Sequence, residues 1–393
     1  MYPTITHMIE DLTGLHIPLP IQTFGFMMAI SFLLAAWTLY HELKRKHLQG
    51  LIPTTQRSVV VGKPLTAAEL LVSIVSGFIV GYKFFDIVFN YAAFSENPQE
   101  QLLSLQGSWL GGIIGAAGMG YWKYYERKKA QLPQPKTHIE TLGPHQLVPD
   151  ITMVVAVTSL IGAKIFDGLE NWDQFVADPW GSLFSFSGLT FYGGLIFGTA
   201  GVLWYVQKNG IRPLVFADAA APGVMLAYGV GRLGCQLSGD GDWGIVNTNP
   251  KPAALSFLPD WAWSYTYPNN VLSEGIQIPG CVGRFCAELP EPVYPTPLYE
   301  FAVCVAMFGL LWFLRKRIKI VGMLLFIYLF LNGLERFFIE KIRVNSLYNV
   351  NGFSFTQAEL ISTLLMLTGI GGMILLYTRR NRVGGNTEIK TTP

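Results

Sequence analysis

Arg232 stands in the run Gly231-Arg232-Leu233-Gly234-Cys235-Gln236-Leu237-Ser238-Gly239-Asp240-Gly241-Asp242-Trp243-Gly244, where an apolar stretch long enough to cross a bilayer comes to its end. A guanidinium at that depth is costly in hydrocarbon and calls for a partner. Its planar fork of donors suits an anion with several oxygens, such as a phosphate. A second run, Asn332-Gly333-Leu334-Glu335-Arg336-Phe337-Phe338-Ile339-Glu340-Lys341-Ile342-Arg343, spaces Arg336, Glu340 and Arg343 at i, i+4 and i+7, which is one face of a helix. Two readings of that face are open. Glu340 neutralises both arginines as a closed ladder, or it orients them while Arg336 keeps donors free for a phosphate.

The elements that must position these groups are membrane helices. Of 393 residues, 51% are hydrophobic and only 14% charged, with mean hydropathy +0.36, well below the roughly 25% charge of soluble proteins. Residues 1–20 show neither a basic n-region nor a small-residue cleavage site, so the first apolar run is expected to be a retained span. Apolar runs at 21–40, 67–90, 108–122, 149–170, 188–207, 216–237, 297–314, 321–341 and 357–378 predict an all-α polytopic membrane protein with about nine transmembrane helices. With the amino terminus outside, segments 41–66, 123–148, 208–215, 315–320 and the tail from 379 lie inside, and they hold 20 of the 28 Lys and Arg residues. The outer segments hold three, Lys251, Arg284 and Arg343, as the positive-inside bias requires. The expected organisation is a membrane domain over 1–240, an external insert over 241–296, a second membrane part over 297–380 and an inner tail over 381–393.

Five cations fall within or at the ends of spans: Lys83, Lys164, Arg232, Arg336 and Lys341. A repeat accounts for two of them. Gly81-Tyr82-Lys83-Phe84-Phe85-Asp86 matches Gly162-Ala163-Lys164-Ile165-Phe166-Asp167, and Asn90 matches Asn171, at an offset of 81; Gly111-Gly112 matches Gly193-Gly194 at 82. The spans over 67–125 thus duplicate those over 148–207 in the same orientation. Lys83 and Lys164 are expected to snorkel and pair with Asp86 and Asp167.

Several motifs together carry a family resemblance: Asp218-Ala219-Ala220-Ala221-Pro222 followed by Gly231-Arg232-Leu233-Gly234, Phe191-Tyr192-Gly193-Gly194-Leu195-Ile196, Ala177-Asp178-Pro179, Tyr294-Pro295-Thr296-Pro297-Leu298-Tyr299-Glu300, and the 336–343 run. In these the chain resembles the prolipoprotein diacylglyceryl transferases, over about 16–380 once the extra helix pair is set aside. The resemblance implies a multi-pass enzyme of the bacterial inner membrane, amino terminus periplasmic and carboxyl terminus cytoplasmic. It would move the diacylglyceryl group of phosphatidylglycerol to the lipobox cysteine thiol of a prolipoprotein signal peptide and release glycerol phosphate. No metal or other cofactor is expected, since the six histidines and four cysteines lack zinc-ligand spacing. Arg232 and Arg336 are then expected to stabilise the departing phosphate, with Glu340 orienting Arg336 and Arg343. The same motifs make Gly193, Gly194, Gly231, Gly234, Cys235, Gly239, Tyr299, Glu300 and Arg343 candidates for substrate binding.

Departures from the family pattern bear on mechanism. Tyr192 stands where relatives have histidine, Cys235 where they have asparagine, Phe24-Gly25 where they have Tyr-Gly, and Asp240-Gly241-Asp242-Trp243-Gly244 where they have Glu-x-Trp-Gly. Tyrosine is a poor base near neutrality, so Tyr192 donates a hydrogen bond to phosphate or orients the thiol, or simply packs beside its glycines. Asp240 or Asp242 is left as the acceptor of the thiol proton. Cys235 reads as a small packing residue or a nucleophile. Cys281 and Cys286, in the insert, form a disulfide or stay free. The insert's Trp261, Trp263, Tyr265 and Tyr267 rest among headgroups or fill a small core. Basic loops suit anionic lipid, and nothing arranges them for nucleic acid. A catalytically silent lipid- or prolipoprotein-binding member and a lipid transporter are the competing classes.

Overall fold

The structure is a computed structural model that describes residues 1–15, 17, 21–96, 98–184, 188, 190–345, 348–350 and 353–385; positions 386–393 of the expected tail lie outside the described residues. In chain order the elements are α1 (Ile5–Thr13), α2 (Thr23–Leu48), β1 (Thr55–Val61), α3 (Ala67–Phe89), α4 (Tyr91–Glu96), α5 (Pro98–Leu103), α6 (Trp109–Ala130) and β2 (Lys136–Leu142). They continue with α7 (Val148–Glu170), α8 (Trp172–Ala177), α9 (Pro179–Phe184), α10 (Phe191–Lys208), α11 (Pro213–Ser238), β3 (Ile276–Gln277), β4 (Ala287–Glu288), α12 (Thr296–Leu314), α13 (Met323–Ile339), β5 (Tyr348–Val350), β6 (Phe353–Phe355) and α14 (Gln357–Gly385).

Among the described residues, six helices are long and apolar enough to cross a membrane: Thr23–Leu48, Ala67–Phe89, Pro144–Glu170, Pro213–Ser238, Thr296–Leu314 and Gln357–Arg379. The expectation of nine spans is therefore supported for six. The other three runs are helical, but α13 has 17 residues, and α6 and α10 dilute their apolar residues with glycine, polar aromatics and lysine. The all-α class agrees with this mostly helical architecture. Among the described residues the helices are joined by three short two-stranded antiparallel ribbons, of which β1 with β2 is the longest, pairing Thr55 to Leu142 through Val61 to Lys136. Its β-branched Val59, Val60 and Val61 favour an extended chain, and Arg57 faces Glu140 across the pair.

The chain forms two compact units. One, over Pro53–Asn209, holds the repeat. There α3 meets α6 where Gly81 and Gly111 cross, and α7 meets α10 where Gly162 and Gly193 cross. A Cβ on Gly81 would lie 2.2 Å from the Gly111 carbonyl, and one on Gly162 would lie 2.3 Å from that of Gly193. Backbones this close give the van der Waals contact that holds helices together in lipid, where apolar side chains gain nothing by leaving one another for the bilayer. The duplication extends to polar chemistry. Asn90 donates to Asp86 at 2.8 Å as Asn171 does to Asp167 at 3.0 Å, and Lys83 reaches the Gln101 carbonyl at 2.9 Å as Lys164 reaches that of Ser182 at 3.0 Å. The expected Lys83–Asp86 pair is thus corrected. The ammonium serves loop carbonyls instead, and Gln101 and Asn90 occupy the aspartate.

The other unit is built from Met1–Ile17, Ile21–Ile52 and the chain from Gly210 onward. Helix α11 is its axis: 56% of its apolar window is buried, against 17–28% for the other five candidate spans. Gly223 admits α2 at Thr38, and Gly229 admits α12 at Cys304. Met225, Cys304, Leu311 and Leu324 form the shared core of α11, α12 and α13. The Asp218 carboxylate accepts the backbone N–H of Gly322 at 2.6 Å and of Leu325 at 2.9 Å, so the acid of the Asp-Ala-Ala-Ala-Pro motif caps the start of α13. At the basic end, fully buried Glu42 takes Arg45 at 2.9 Å and Arg315 at 3.3 Å, which braces the ends of α2 and α12 against each other. The insert folds around Trp243, Tyr267, Leu289 and Val293, and the disulfide Cys281–Cys286 closes its tip. Of its aromatics, Tyr267 is core at 1% exposure, whereas Trp261 is 47% exposed.

Candidate active site

Helix α11 carries Arg232 to its last two turns and ends at Gly239, whose φ of 65° is the left-handed conformation that glycine adopts without strain. That turn sends the chain back over the helix end and brings Asp240 and Asp242 above Arg232 and Cys235. Thr296 Oγ1 holds the Asp242 carbonyl at 2.7 Å, and the Gly244 N–H donates to the Tyr294 carbonyl at 2.9 Å. Gly231 and Gly234 face α2 at Met28 and Met27, so their lack of a side chain serves close helix contact.

The centre of the cluster is Glu300 of α12, which is fully buried. It accepts hydrogen bonds from Arg343 Nη1 at 2.9 Å and the Tyr228 hydroxyl at 2.7 Å, and it forms ion pairs with Arg232 Nε at 2.9 Å and Arg336 Nη1 at 3.9 Å. Asp242 bridges Arg232 and Arg343 through its two oxygens. The Arg232 guanidinium also lies over the Tyr228 ring, 5.1 Å from its centroid. Arg336 Nη2 is 3.0 Å from Glu340 Oε2, an ion pair off hydrogen-bond geometry, since that oxygen has no hydrogen-bond partner. Three guanidiniums from α11, α13 and the segment after α13 thereby share one small volume with three carboxylates.

The expected single helical face for Arg336, Glu340 and Arg343 is corrected by the backbone. Helix α13 ends at Ile339, a 3-10 turn covers Glu340–Ile342, and Arg343 is extended at φ −93°, ψ 156°. Residues 342 and 343 pair with the segment at Gly244 and Ile245 instead of continuing the helix. Arg343 consequently pairs with Asp242 and Glu300, not Glu340, which accepts Asn345 at 2.6 Å. Arg336 Nη1 is buried without a hydrogen-bond acceptor. The closed ladder, in which Glu340 neutralises both arginines, is therefore not formed, since Glu340 pairs with Arg336 alone.

Two carboxylates beside the cluster differ in electrostatics. Burial, and then the neighbouring Asp242, raise the Asp240 carboxyl above the usual range, and its Oδ1 has no partner. Asp242 is equally buried, but Arg232 and Arg343 outweigh that and hold it below the usual range. The Cys235 thiol lies beside both. Cys235, Asp240 and Asp242 offer ligand atoms within 4.8 Å of one another, a grouping that histidine and cysteine spacing did not reveal. Two guanidiniums already hold Asp242, so a further cation there would meet repulsion.

The remaining expected site residues have other neighbours. Tyr299 turns to the insert and donates to the Ala262 carbonyl at 3.0 Å. Tyr192, Gly193 and Gly194 belong to the repeat unit, where Gly193 packs on Gly162 and Tyr192 is 36% exposed. Tyr228 and Glu335 were not anticipated. Tyr228 lies one helical turn before Arg232, a spacing that places it beside the arginine, and Glu335 is visible in the 332–343 run as an acid in an apolar helix.

A family model described as prolipoprotein diacylglyceryl transferase matches residues 134–375, a stretch that begins after α3 and α6 and contains the whole charged cluster. A phosphatidylglycerol–prolipoprotein diacylglyceryl transferase of Staphylococcus carnosus is 31% identical over 283 residues, 71% of this chain and 89% of its own. One from Staphylococcus aureus strain MRSA252 is 31% identical over 299 residues, 75% of this chain and 91% of its own. One from Leptospira interrogans is 29% identical over 264 residues, 54% of this chain and 73% of its own. A match of this extent around a phosphate-suited arginine cluster on apolar helices establishes that the chain is a membrane transferase and belongs to the prolipoprotein diacylglyceryl transferase family.

Proposed function

We propose that this enzyme transfers the sn-1,2-diacylglyceryl group of phosphatidylglycerol to the lipobox cysteine of an exported prolipoprotein, forming a thioether and releasing glycerol phosphate. The observation that carries the reading is the triad Arg232, Arg336 and Arg343 around Glu300, with Arg336 Nη1 buried and unmet. The thiol sulfur attacks the glyceryl carbon that bears the phosphodiester, the C–O bond breaks, and its electrons pass to the leaving phosphate. Fixed guanidiniums in a water-poor site act where that charge develops. Asp242, bound by two arginines, is a poor proton acceptor. Asp240, with a free oxygen and a raised pKa, takes the thiol proton. Glu340 holds Arg336 in place.

The charge distribution supports a periplasmic amino terminus, a cytoplasmic carboxyl terminus and residence in the bacterial inner membrane. The cluster then sits at the outer ends of α11 and α13, where an exported signal peptide arrives. The test is expression in cells depleted of their own transferase, with the mass of a prolipoprotein as readout. A gain of one diacylglyceryl group, lost in Arg336→Ala, is expected. An unmodified prolipoprotein beside correctly folded protein would overturn the reading in favour of a silent lipid binder.

A further inference from the structure

Glu335 has no task in this chemistry, yet it is an acid within α13 at 6% exposure, and neither of its carboxylate oxygens has a hydrogen-bond partner. The charges it faces are Glu300, Arg336, Arg232 and Arg343, and Tyr228 and Cys304 lie within its field. The acid is therefore a buried neighbour of the arginine cluster. Beside it Arg336 Nη1 is a buried donor without an acceptor. Adjacent residues of a helix project about 100° apart, so this donor and this acceptor do not readily satisfy each other. Unmet buried polar groups are costly, and native sites keep few of them without a use. A ligand that meets both offers an anionic oxygen to Arg336 and hydroxyl donors to Glu335 a few bonds away.

We propose that Glu335 recognises the hydroxyls of the donor lipid's glycerol headgroup while Arg336 holds its phosphate, so that this pair selects a hydroxylated anionic headgroup. The inference rests on the phosphatidylglycerol reading above. An ammonium headgroup would also attract a carboxylate, but it would have to shed its hydration shell in a buried cluster whose guanidiniums and carboxylates already pair with one another. A neutral hydroxyl meets a far smaller desolvation cost.

The test compares two donors in mixed micelles with the full chain and a lipobox peptide: phosphatidylglycerol, and phosphatidylpropanol, which keeps the phosphodiester and three carbons but lacks both hydroxyls. Loss of the hydrogen bonds from both hydroxyls should lower kcat/KM of the wild-type enzyme by about tenfold, of the order expected for two such bonds. Glu335→Leu should bring the two donors within about twofold, through a higher KM for phosphatidylglycerol. If that variant does not fold, Glu335→Asp, which withdraws the same carboxylate by one methylene, should reduce the preference at least threefold. An undiminished preference in a folded variant, or none in the wild type, overturns the role of Glu335. Absence of transfer from either donor by folded wild-type protein instead overturns the proposed function.

Discussion

Glu300→Gln is the sharpest perturbation of the cluster, because it keeps the shape of the side chain and removes the charge at its centre. Arg343 Nη1 donates to it at 2.9 Å and Arg232 Nε forms an ion pair with it at 2.9 Å, whereas Arg336 Nη1 stands at 3.9 Å. Hydrogen bonds to charged groups contribute roughly 1.5–3 kcal/mol each, and loss of one partner of a buried pair costs about 3–5 kcal/mol. Glu300→Gln is therefore expected to destabilise the folded protein by about 3 kcal/mol, read by unfolding in detergent. Double-mutant cycles dissect the loss. Coupling of Glu300→Gln to Arg343→Met should be about 1.5–3 kcal/mol, and coupling to Arg336→Met below about 1 kcal/mol. Equal coupling to the two arginines, or a total loss under about 1 kcal/mol, would refute the view that Glu300 binds Arg232 and Arg343 and leaves Arg336 free for substrate.

Arg336→Ala should abolish transfer in the lipoprotein mass assay while lowering the unfolding temperature far less than Glu300→Gln, since its contacts within the protein are the looser ones. Asp240→Asn removes a carboxyl whose pKa is raised on folding. Such a group favours the folded state below its unfolded pKa and loses that contribution as pH rises through the folded pKa, so the variant should be no less stable than wild type at pH 8 and less pH-dependent. Its transfer rate should fall, with the acid limb of the pH profile lost; a full rate would remove Asp240 as the base. Gly81→Ala and Gly162→Ala each drive a Cβ against a facing carbonyl and should cost more than about 2 kcal/mol. Gly118→Ala, which meets nothing within 4 Å in α6, should be neutral or stabilising by about 0.5–1 kcal/mol in the same unfolding assay. Tyr192→Phe tests the hydroxyl that stands where relatives carry histidine: loss of transfer in a folded variant supports a role for it, and full activity assigns the ring to packing.

Much was legible in the sequence because hydrocarbon tolerates so little. An arginine or an acid in an apolar run has few explanations, so Arg232, Arg336 and Glu340 stood out, and Glu300 entered through its motif. The duplication was legible for a related reason. Helices that touch at their backbones need glycine at the crossing, so Gly81, Gly111, Gly162 and Gly193 recur at matching offsets with their Asp–Asn pairs. Helical spacing, by contrast, supposes that the helix continues. It placed Arg343 on a face with Arg336, and the 3-10 turn at Glu340–Ile342 moved it to Asp242 and Glu300.

From the sequence alone came the membrane class, the internal repeat and the arginines suited to phosphate, since each follows from the local cost of a residue type in lipid or at a helix crossing. Only the tertiary structure decided which acid serves which arginine. Glu300 lies far in sequence from both Arg232 and Arg343, and it became the hub because α11, α12 and the end of α13 converge on its buried carboxylate. The same convergence left Arg336 Nη1 and Glu335 unmet, a property of packed neighbours that no spacing along the chain encodes.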